Sequence, residues 1–477
     1  MPPDLGQGGC SALGDGVILA RCLADVLLEN STCQRRLDSE NEDEYRRTKK
    51  GLDNYAEKRT WRVFDLICTG YMLGWIQEYL YKIVYFEPKF ARKGTTKMEV
   101  NADIVIVGAG ISGLATALAL HRLGIKSLVL ESSNVLRAAG ITITAWTNAW
   151  RVLDALGIAD SLRQQHGQIF GGDDEVRCLK RKALLEALAK DLPSGTIRYS
   201  SKVVSIEESG FSKLVHLDNG STLKTKVLIG CDGVNSVVTK WLGFNKPTLL
   251  GRSAIRGCAY YVDGHSFEPK FDVLVGNGVR FGVVPCDHYA VYWFLTGSLS
   301  AQGNSTLQEN QLKLKQFVLN KLGKVSDHIR AVVEDTKVEE IACASLGYRP
   351  PLEVLFGNIS KDNVSVAGDA CHLMTPDLAQ GGCLALEDGI VLARCLADAL
   401  LENEDEYKYE RIKHGLNNYA EKRRWRAVDL IYTGCMLGWI QESEWFGVRY
   451  LREKLLSHYL SELPLKKADF DPKQLVL

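Results

Sequence analysis

The feature that most constrains this chain is a glycine-rich turn between an apolar segment and a helical pattern. Asp103–Val107 (DIVIV) is predicted to be a buried strand, and the turn GAGISG follows it directly. The helical pattern of Ile111–Leu123 begins inside this turn, and Lys126–Leu130 is predicted to be a second strand that ends at Glu131. A strand, a helix and a second strand in this order form a βαβ unit, which predicts an α/β fold.

The spacing of the glycines in this turn is typical of a nucleotide-binding site. The first glycine permits a tight turn, the second lets the backbone approach a pyrophosphate, and the third allows the helix to pack closely on the strand. The helix then presents free N–H groups to the phosphates, and the acid at the end of the second strand can accept both ribose hydroxyls of an adenosine. The residues assigned to this site are Gly108, Gly110, Ile111, Ser112, Gly113 and Glu131.

Two further motifs stand at the ends of predicted strands. The first, Asp232–Gly233 within CDGVNS, is on its own no more than a tight turn. The second begins with Asp369 after the predicted strand Val364–Ala367, and a carboxylate at this place can bond the ribityl hydroxyls of a flavin. Gly381–Gly382 then opens a helix whose amides can face the N1/C2 carbonyl region of a flavin, where partial positive charge favours the anionic reduced ring.

The three motifs GAGISG, CDGVNS and GDACHLMTPDLAQGG together resemble a known family. They are similar to those of the FAD-dependent aromatic hydroxylases with the para-hydroxybenzoate hydroxylase fold, nearest to the plant monooxygenases related to salicylate hydroxylase and zeaxanthin epoxidase. The resemblance covers about residues 100–477, with the motifs in the family's order. It implies a Rossmann-like FAD-binding domain with an interleaved antiparallel β-sheet substrate domain and C-terminal helices.

The resemblance also implies the chemistry. FAD would be held without a covalent bond, and NADPH or NADH would bind transiently as the reductant. O₂ would add at the flavin C4a, and the resulting hydroperoxide would hydroxylate or epoxidise a small apolar substrate, either aromatic or isoprenoid. Two alternatives stay open: a flavin-dependent reductase of the same fold that inserts no oxygen, and a catalytically impaired fusion product.

The resemblance assigns further cofactor-binding residues. Asp232 and Gly233 would lie beside the pyrophosphate, and Arg181, just before a helical segment, would contact the cofactor, unless it belongs to a solvated basic run. Pro376 belongs to the third motif, and the loop after the second strand offers two weaker candidates for the same pocket. These two candidates are Arg137 and Gly140.

Three positions depart from the family's pattern. Ala379 stands where the family usually has glycine, and Cys383 stands where asparagine is common. If residue 379 has a positive φ, the methyl group costs about 1 kcal/mol and could loosen the flavin site. Thr239 replaces an arginine that often closes the Asp–Gly motif, which puts the handling of the nicotinamide cofactor in question.

An internal repeat determines the predicted domain boundaries. Residues 1–78 recur as residues 374–442, although the first copy lacks the strand and Gly–Asp that precede the second. We interpret the first copy as a duplicated, non-catalytic segment; alternatively, the two copies compete for one docking position. The predicted domains are 1–96 (the duplicated helical segment), 97–247 and 351–445 (the FAD-binding domain), 248–350 (the substrate sheet) and 446–477 (a C-terminal helical tail).

Composition excludes several classes of partner. The chain has 58 basic and 58 acidic side chains, so no surplus of positive charge predicts a nucleic-acid partner. Its 13 cysteines include no CxxC pair, which favours reduced thiols and predicts no metal site. The uncharged apolar stretch Ile104–Leu120 is interrupted by glycines and predicts no transmembrane segment. We therefore expect a cytoplasmic enzyme, with a plastid location and the oligomeric state left open.

The sequence allows more than one role for His372 and for a group of aromatic side chains. His372 could be a general base, but we favour a role in orienting the backbone. Tyr289, Tyr292, Trp293 and Phe294 lie on one predicted strand, and one of its faces could line a substrate pocket or simply pack within the sheet.

Overall fold

The computed structural model describes residues 97–136, 142–169, 174–276, 278–298, 310–323, 325–401, 408–454 and 457–472. The duplicated segment 1–96, together with Arg137 and Gly140, therefore lies outside the described residues. The α/β architecture predicted from the sequence is confirmed, with one mixed sheet, one antiparallel sheet and a series of C-terminal helices.

The mixed sheet has eight strands, and its central strands are parallel. The order is β14-β15-β8-β1-β2-β5, and β7 pairs with β8 and β6 with β7. The strands are β1 Lys97–Val107, β2 Leu128–Leu130, β5 Ile197–Arg198, β6 Val203–Ser209, β7 Ser212–Leu217, β8 Ser221–Gly230, β14 Ser360–Lys361 and β15 Val364–Val366. The Asp–Asn–Gly turn at Asp218–Gly220 forms a hairpin, because β7 pairs with β8 across it, and a second turn at Gly210 joins β6 to β7 and makes three antiparallel strands.

The antiparallel sheet has five strands in the order β10-β11-β12-β9-β13, and a separate two-stranded sheet pairs β3 with β4. These strands are β3 Thr142–Ala145, β4 Arg177–Lys180, β9 Thr248–Tyr260, β10 Asp272–Gly276, β11 Val279–Asp287, β12 Ala290–Ser298 and β13 Ala342–Tyr348. One face of the five-stranded sheet packs on two helices through a core that includes Ile255, Phe281 and Trp293. The opposite face contacts the rest of the protein, as described below.

The helices cover the sheets and close the chain. They are α1 Ile111–Arg122, α2 Thr147–Leu156, α3 Ala159–Arg163, α4 Arg181–Lys190, α5 Val237–Trp241, α6 Gln311–Leu322, α7 Asp327–Asp335, α8 Pro351–Phe356, α9 Asp369–His372, α10 Gly381–Leu400, α11 Lys408–Glu442, α12 Phe446–Lys454 and α13 Ser457–Lys466. Helices α1 and α10 pack closely because Gly389 presents no side chain to Ala115, where a Cβ would lie 2.7 Å from the alanine Cβ. Among the described residues, no helix combines the length and apolar character needed to cross a membrane.

Candidate functional site

The register of the parallel strands brings the three sequence motifs to one edge of the mixed sheet. Val107, the last residue of β1, pairs with Leu130 of β2 and with Gly230 of β8, and Gly230 pairs in turn with Val366 of β15. Four parallel strands therefore end at the same level. The residues that follow them meet around a cavity of about 450 Å³, in the position where open α/β sheets bind ligands.

The glycines after β1 are required by contacts with the loop after β8. Gly108 has φ +99°, and a Cβ on it would lie 2.5 Å from the carbonyl oxygen of Cys231. A Cβ on Gly113 would lie 2.0 Å from the carbonyl oxygen of Gly108. Gly113 therefore serves helix packing and does not line the cavity, whereas Gly108 and Gly110 do line it.

The first turn of α1 presents unoccupied backbone amides to the cavity. Ile111 and Ser112 line the cavity, and no side chain caps this end of the helix. The free N–H groups and the helix dipole give this surface partial positive charge. An anionic group such as a phosphate fits this place.

Glu131 is oriented by backbone amides at the end of β2. Its Oε2 accepts a hydrogen bond from the Ala109 amide at 2.9 Å, and its Oε1 accepts one from the Ser133 amide at 2.8 Å. The residue is 9% exposed and lines the cavity. The carboxylate is therefore fixed in direction but keeps lone pairs for a hydroxyl-bearing ligand.

The Asp–Gly turn after β8 places a carboxylate beside the first motif. Asp232 Oδ2 accepts a hydrogen bond from the Val237 amide at 2.7 Å, while its buried Oδ1 has no partner in the described part of the chain. Burial raises the pKa of Asp232, against the hydrogen bonds from Ser236 and the backbone. Both Asp232 and Gly233 line the cavity, and a buried oxygen without a partner indicates that a ligand group belongs there.

Thr239, which replaces the arginine of the family pattern, connects two motifs. Its Oγ1 donates a hydrogen bond of 2.8 Å to the carbonyl oxygen of Ala370, which also accepts one from Arg349 at 3.2 Å. Arg349 is 1% exposed and is a different arginine from the one expected by the resemblance. The threonine thus joins the Asp–Gly turn to the Gly–Asp turn.

Arg181 and Asp369 face each other across the cavity. Both line it, and Asp369 is exposed to it at the start of α9. Burial lowers the pKa of the Arg181 guanidinium, and the negative charge of Asp369 opposes this effect. The Arg181 Nε is buried and has no partner among the described residues. Arg181 is therefore not part of a solvated basic run, which was the alternative interpretation.

The turn before α10 has a strained backbone at Ala379, where the sequence analysis considered a positive φ. Ala379 has φ +54° and ψ +27°, the left-handed region that favours glycine. Its carbonyl oxygen accepts a hydrogen bond of 3.1 Å from Trp146 Nε1, and its amide donates one of 3.0 Å to Pro376. Gly381 and Gly382 line the cavity at the uncapped start of α10, whereas Pro376 supports the turn without lining it.

Two acidic side chains that the sequence analysis missed hold α10 in place. Glu387 and Asp388 are both fully buried and both bind Arg423 of α11, at 2.7 Å each. Glu387 also binds Arg426 at 2.9 Å and accepts a hydrogen bond from Asn148 of α2 at 2.7 Å. The sequence signal for them is a pair of adjacent acids inside an otherwise apolar helical segment.

His372 belongs to this buried cluster and not to the cavity. Its Nε2 lies 2.6 Å from Asp388 Oδ2, the oxygen that also accepts a hydrogen bond from the Gly368 amide. Burial alone would raise the pKa of Asp388, but the charges of His372 and Arg423 outweigh it and hold the pKa at about 2. The histidine therefore orients the backbone before Asp369, which is the role we favoured.

The inner face of the five-stranded sheet contacts β4, α11 and the third motif through charged side chains. Arg252 binds Asp377 at 2.9 Å and also pairs with Glu442 of α11. Arg280 donates a hydrogen bond of 3.0 Å to the Asp377 carbonyl oxygen, and Lys180 pairs with Asp287 at 2.6 Å. These contacts fix the sheet over the third motif.

The same face carries aromatic rings. Tyr292 and Phe294 alternate on β12 with Trp293, which packs in the opposite core. The rings of Tyr292 and Phe294 have centroids 6.2 Å apart, and Phe271 lies 6.1 Å from Phe294. Gly282 leaves room for the Phe294 ring, which a Cβ there would meet at 2.3 Å. Further cavity residues were not predicted, among them Ile143, Ser201, Lys202, Asn235 and Ala385.

Comparison with known families is consistent with a flavin site. The family described as "FAD binding domain" matches residues 352–431, and the family described as "Lycopene cyclase protein" matches residues 103–279. These two ranges contain the third motif and the first two motifs respectively.

Two curated proteins and one solved structure are similar to this chain. "Monooxygenase 2" of Arabidopsis thaliana is 49% identical over 406 residues, covering 79% of this chain and 99% of that protein. "Zeaxanthin epoxidase, chloroplastic" of an Oncidium hybrid cultivar is 26% identical over 362 residues, covering 69% and 53%. The crystal structure of HpxO of Klebsiella pneumoniae with FAD and uric acid superimposes with a TM-score of 0.65 at 21% identity, covering 76% and 96%.

Proposed function

Since the chain belongs to the family of FAD-dependent monooxygenases with the para-hydroxybenzoate hydroxylase fold, we propose that it uses NADPH or NADH and O₂ to insert one oxygen atom into a small aromatic substrate. The family and its FAD cofactor follow from the comparisons. We propose in addition which reductant the protein uses, that it inserts oxygen, and which class of substrate it takes.

The residues around the cavity fit FAD, and we assign them by the chemistry of each part. Glu131 would bind the ribose hydroxyls, and the start of α1 would bind the pyrophosphate. Asp369 would bind the ribityl chain, and the amides at the start of α10 would face the flavin ring. The unpartnered Arg181 Nε and Asp232 Oδ1 support the assignment, since both would otherwise be buried polar atoms without a hydrogen bond.

When bound, FAD supplies the electron transfer and the activation of O₂, and the protein supplies position and environment. The Arg252–Asp377 ion pair and the Arg280 hydrogen bond to the Asp377 carbonyl hold the sheet against the turn before α10. We propose that the substrate lies between this sheet and the flavin ring, so that the reacting atoms are shielded from water.

The aromatic rings on the inner face of the sheet are the main reason for proposing an aromatic substrate. Tyr292, Phe294 and Phe271 provide flat surfaces on the side that faces the FAD-binding elements, and such rings pack well against another ring. Arg256 shares this face because it pairs with Phe294 across the strands. The guanidinium group of Arg256 makes no hydrogen bond or ion pair within the described ranges. An aromatic substrate with an acidic group would complement it better than an isoprenoid would.

Stopped-flow reduction of the FAD-loaded protein tests this function. NADPH and NADH are compared in the presence of aromatic acids, neutral phenols of the same shape, and isoprenoids. We expect an aromatic acid to accelerate flavin reduction and to yield a product that carries one ¹⁸O atom from ¹⁸O₂. Arg256→Met should weaken binding of the acid by about tenfold or more, since hydrogen bonds to charged groups contribute about 1.5–3 kcal/mol, and should leave the neutral phenol unaffected.

The two alternatives give different results in the same assay. A reductase would consume NADPH and saturate a double bond without incorporating ¹⁸O. An impaired fusion product would fail to retain FAD, and replacing Ala379 by glycine and deleting residues 1–96 would restore the cofactor. The cytoplasmic location stays a prediction.

A further inference from the structure

Three buried thiols meet where the FAD-binding elements contact the substrate sheet. Cys178 lies on β4, Cys258 on β9 and Cys286 on β11, and their exposed fractions are 0%, 1% and 1%. The sulfur atoms of Cys178 and Cys286 are 3.2 Å apart. Interactions with Cys178 and Cys258, together with burial, raise the pKa of the Cys286 thiol well above its ordinary value, whereas the interaction with Cys286 lowers the pKa of Cys258.

Local backbone structure directs Cys286 toward β4. The pairing of β11 with β12 shifts register between Pro285 and Asp287, which leaves Cys286 as the extra residue of a bulge. The neighbouring residue Asp287 binds Lys180 of β4 at 2.6 Å. The bulge and the ion pair together hold the two strands with their sulfur atoms in contact.

We propose that Cys178 and Cys286 are a modification site, at which hydrogen peroxide oxidises the pair to a disulfide. One thiolate attacks the peroxide, the O–O bond breaks, and the sulfur becomes a sulfenic acid while the other oxygen leaves as water after protonation. The second thiolate then attacks this sulfur and displaces hydroxide, which takes up the proton that this thiol released and leaves as water. In sum, two thiols and one peroxide give one disulfide and two waters.

The geometry requires only a small movement. A disulfide has an S–S bond of about 2.0 Å, so the two sulfur atoms must approach by about 1.2 Å from their separation of 3.2 Å. The bond would join β4 to the substrate sheet only three residues before Arg181. Oxidation would therefore link the strand that leads to a cavity residue with the sheet that covers the cavity.

Other cysteines lack this arrangement. Within the described residues, no sulfur–sulfur contact is found outside the cluster. The remaining described cysteines are Cys231, Cys343, Cys371, Cys383, Cys395 and Cys435. A disulfide at the cluster is therefore expected to form selectively.

Peptide mapping of the FAD-loaded full-length protein tests the proposal. The protein is treated with a molar excess of hydrogen peroxide, remaining thiols are alkylated under denaturing conditions, and trypsin is added without a reductant. Trypsin separates the three cysteines, since they lie in the fragments 178–180, 257–270 and 281–313. We expect fragment 178–180 linked to fragment 281–313, and release of both by dithiothreitol.

Two variants serve as controls. Cys258→Ala should keep the crosslink, because Cys258 is not one of the two thiols that form the bond. Cys343→Ser, which changes an isolated thiol of the same sheet, should keep it as well. The proposal is overturned if fragment 257–270 is linked to 281–313 instead, or if peroxide leaves Cys178 and Cys286 free to be alkylated. Added peroxide makes the result independent of the proposed monooxygenase activity.

Discussion

Replacing Glu387 by glutamine should destabilise the protein strongly, although the change removes only one charge. The carboxylate accepts four hydrogen bonds, and every partner is a donor. Oε1 accepts from Asn148 at 2.7 Å and from Arg426 at 2.9 Å. Oε2 accepts from Arg423 at 2.7 Å and from Arg426 at 3.3 Å. In either orientation of the glutamine side chain, its NH₂ group would face an N–H group of an arginine, and two donors cannot form a hydrogen bond.

The expected loss follows from this geometry. Glu387 is fully buried and Arg423 is 2% exposed, so solvent cannot replace the lost acceptor. Arg423 would keep Asp388 as its partner, whereas Arg426 would lose the carboxylate that it binds. Removing one partner from a buried ion pair costs about 3–5 kcal/mol, because the other charge stays buried without compensation. We expect Glu387→Gln to lower the free energy of unfolding by about 3–5 kcal/mol.

Urea unfolding at pH 7 of the FAD-free and FAD-loaded protein measures the loss. We also expect FAD fluorescence to appear at a lower temperature on heating, because α10 begins at Gly381 beside the cavity. Glu421→Gln is the matched control, since Glu421 lies exposed on α11 and should change stability by less than about 0.5 kcal/mol. A loss below about 1 kcal/mol for Glu387→Gln would refute the reasoning.

Three further predictions follow from single residues. Ala379→Gly should raise the free energy of unfolding by about 1 kcal/mol, because the residue has φ +54°, and urea unfolding checks this against Ala187→Gly in α4, which should lower it. Gly108→Ala should prevent FAD retention, because its Cβ would lie 2.5 Å from a carbonyl oxygen, and the visible spectrum of the purified protein checks this. Asp388 has a folded-state pKa of about 2 against an ordinary 3.8, so it stabilises the protein above about pH 4, and this contribution of about 2 kcal/mol is lost as the pH falls toward 2. Urea unfolding at a series of pH values should show a smaller acid loss for Asp388→Asn than for the natural protein.

The sequence predicted the parts of the site that depend on local backbone geometry. A glycine turn between a strand and a helix needs little tertiary information, because positive φ and close packing require glycine directly. The place of Ala379 in the third motif also raised the possibility of a positive φ, and the residue has φ +54°. The parallel strands could also be predicted, since a βαβ unit fixes their direction.

The sequence could not predict contacts between distant segments. Asn148, Glu387 and Arg423 meet only because α2, α10 and α11 pack together, and no local pattern encodes that packing. Cavity residues such as Ser201 lie in a connection whose course depends on the pairing of β2 with β5. The turn at Gly210 between β6 and β7 likewise has a weaker sequence signal than the Asp–Asn–Gly turn at Asp218–Gly220.

The buried ion pairs also bear on the internal repeat. The N-terminal copy retains Arg59 and Arg62 at the positions of Arg423 and Arg426. However, it has Gly14 in place of Glu387, the carboxylate that joins the two arginines in the described copy.

It also has Thr60 in place of Arg424, which donates hydrogen bonds to the carbonyl oxygens of Val354, Leu355 and Gly357 at 2.6, 2.7 and 2.9 Å. If residues 1–78 took the position of residues 374–442, the guanidinium groups at the positions of Arg423 and Arg426 would lose the carboxylate that joins them, and three carbonyl oxygens would lose a charged donor. The loss of the Glu387 carboxylate alone is about 3–5 kcal/mol. We therefore infer that the two copies do not compete on equal terms, and that the C-terminal copy is the one whose side chains suit the position beside the cavity.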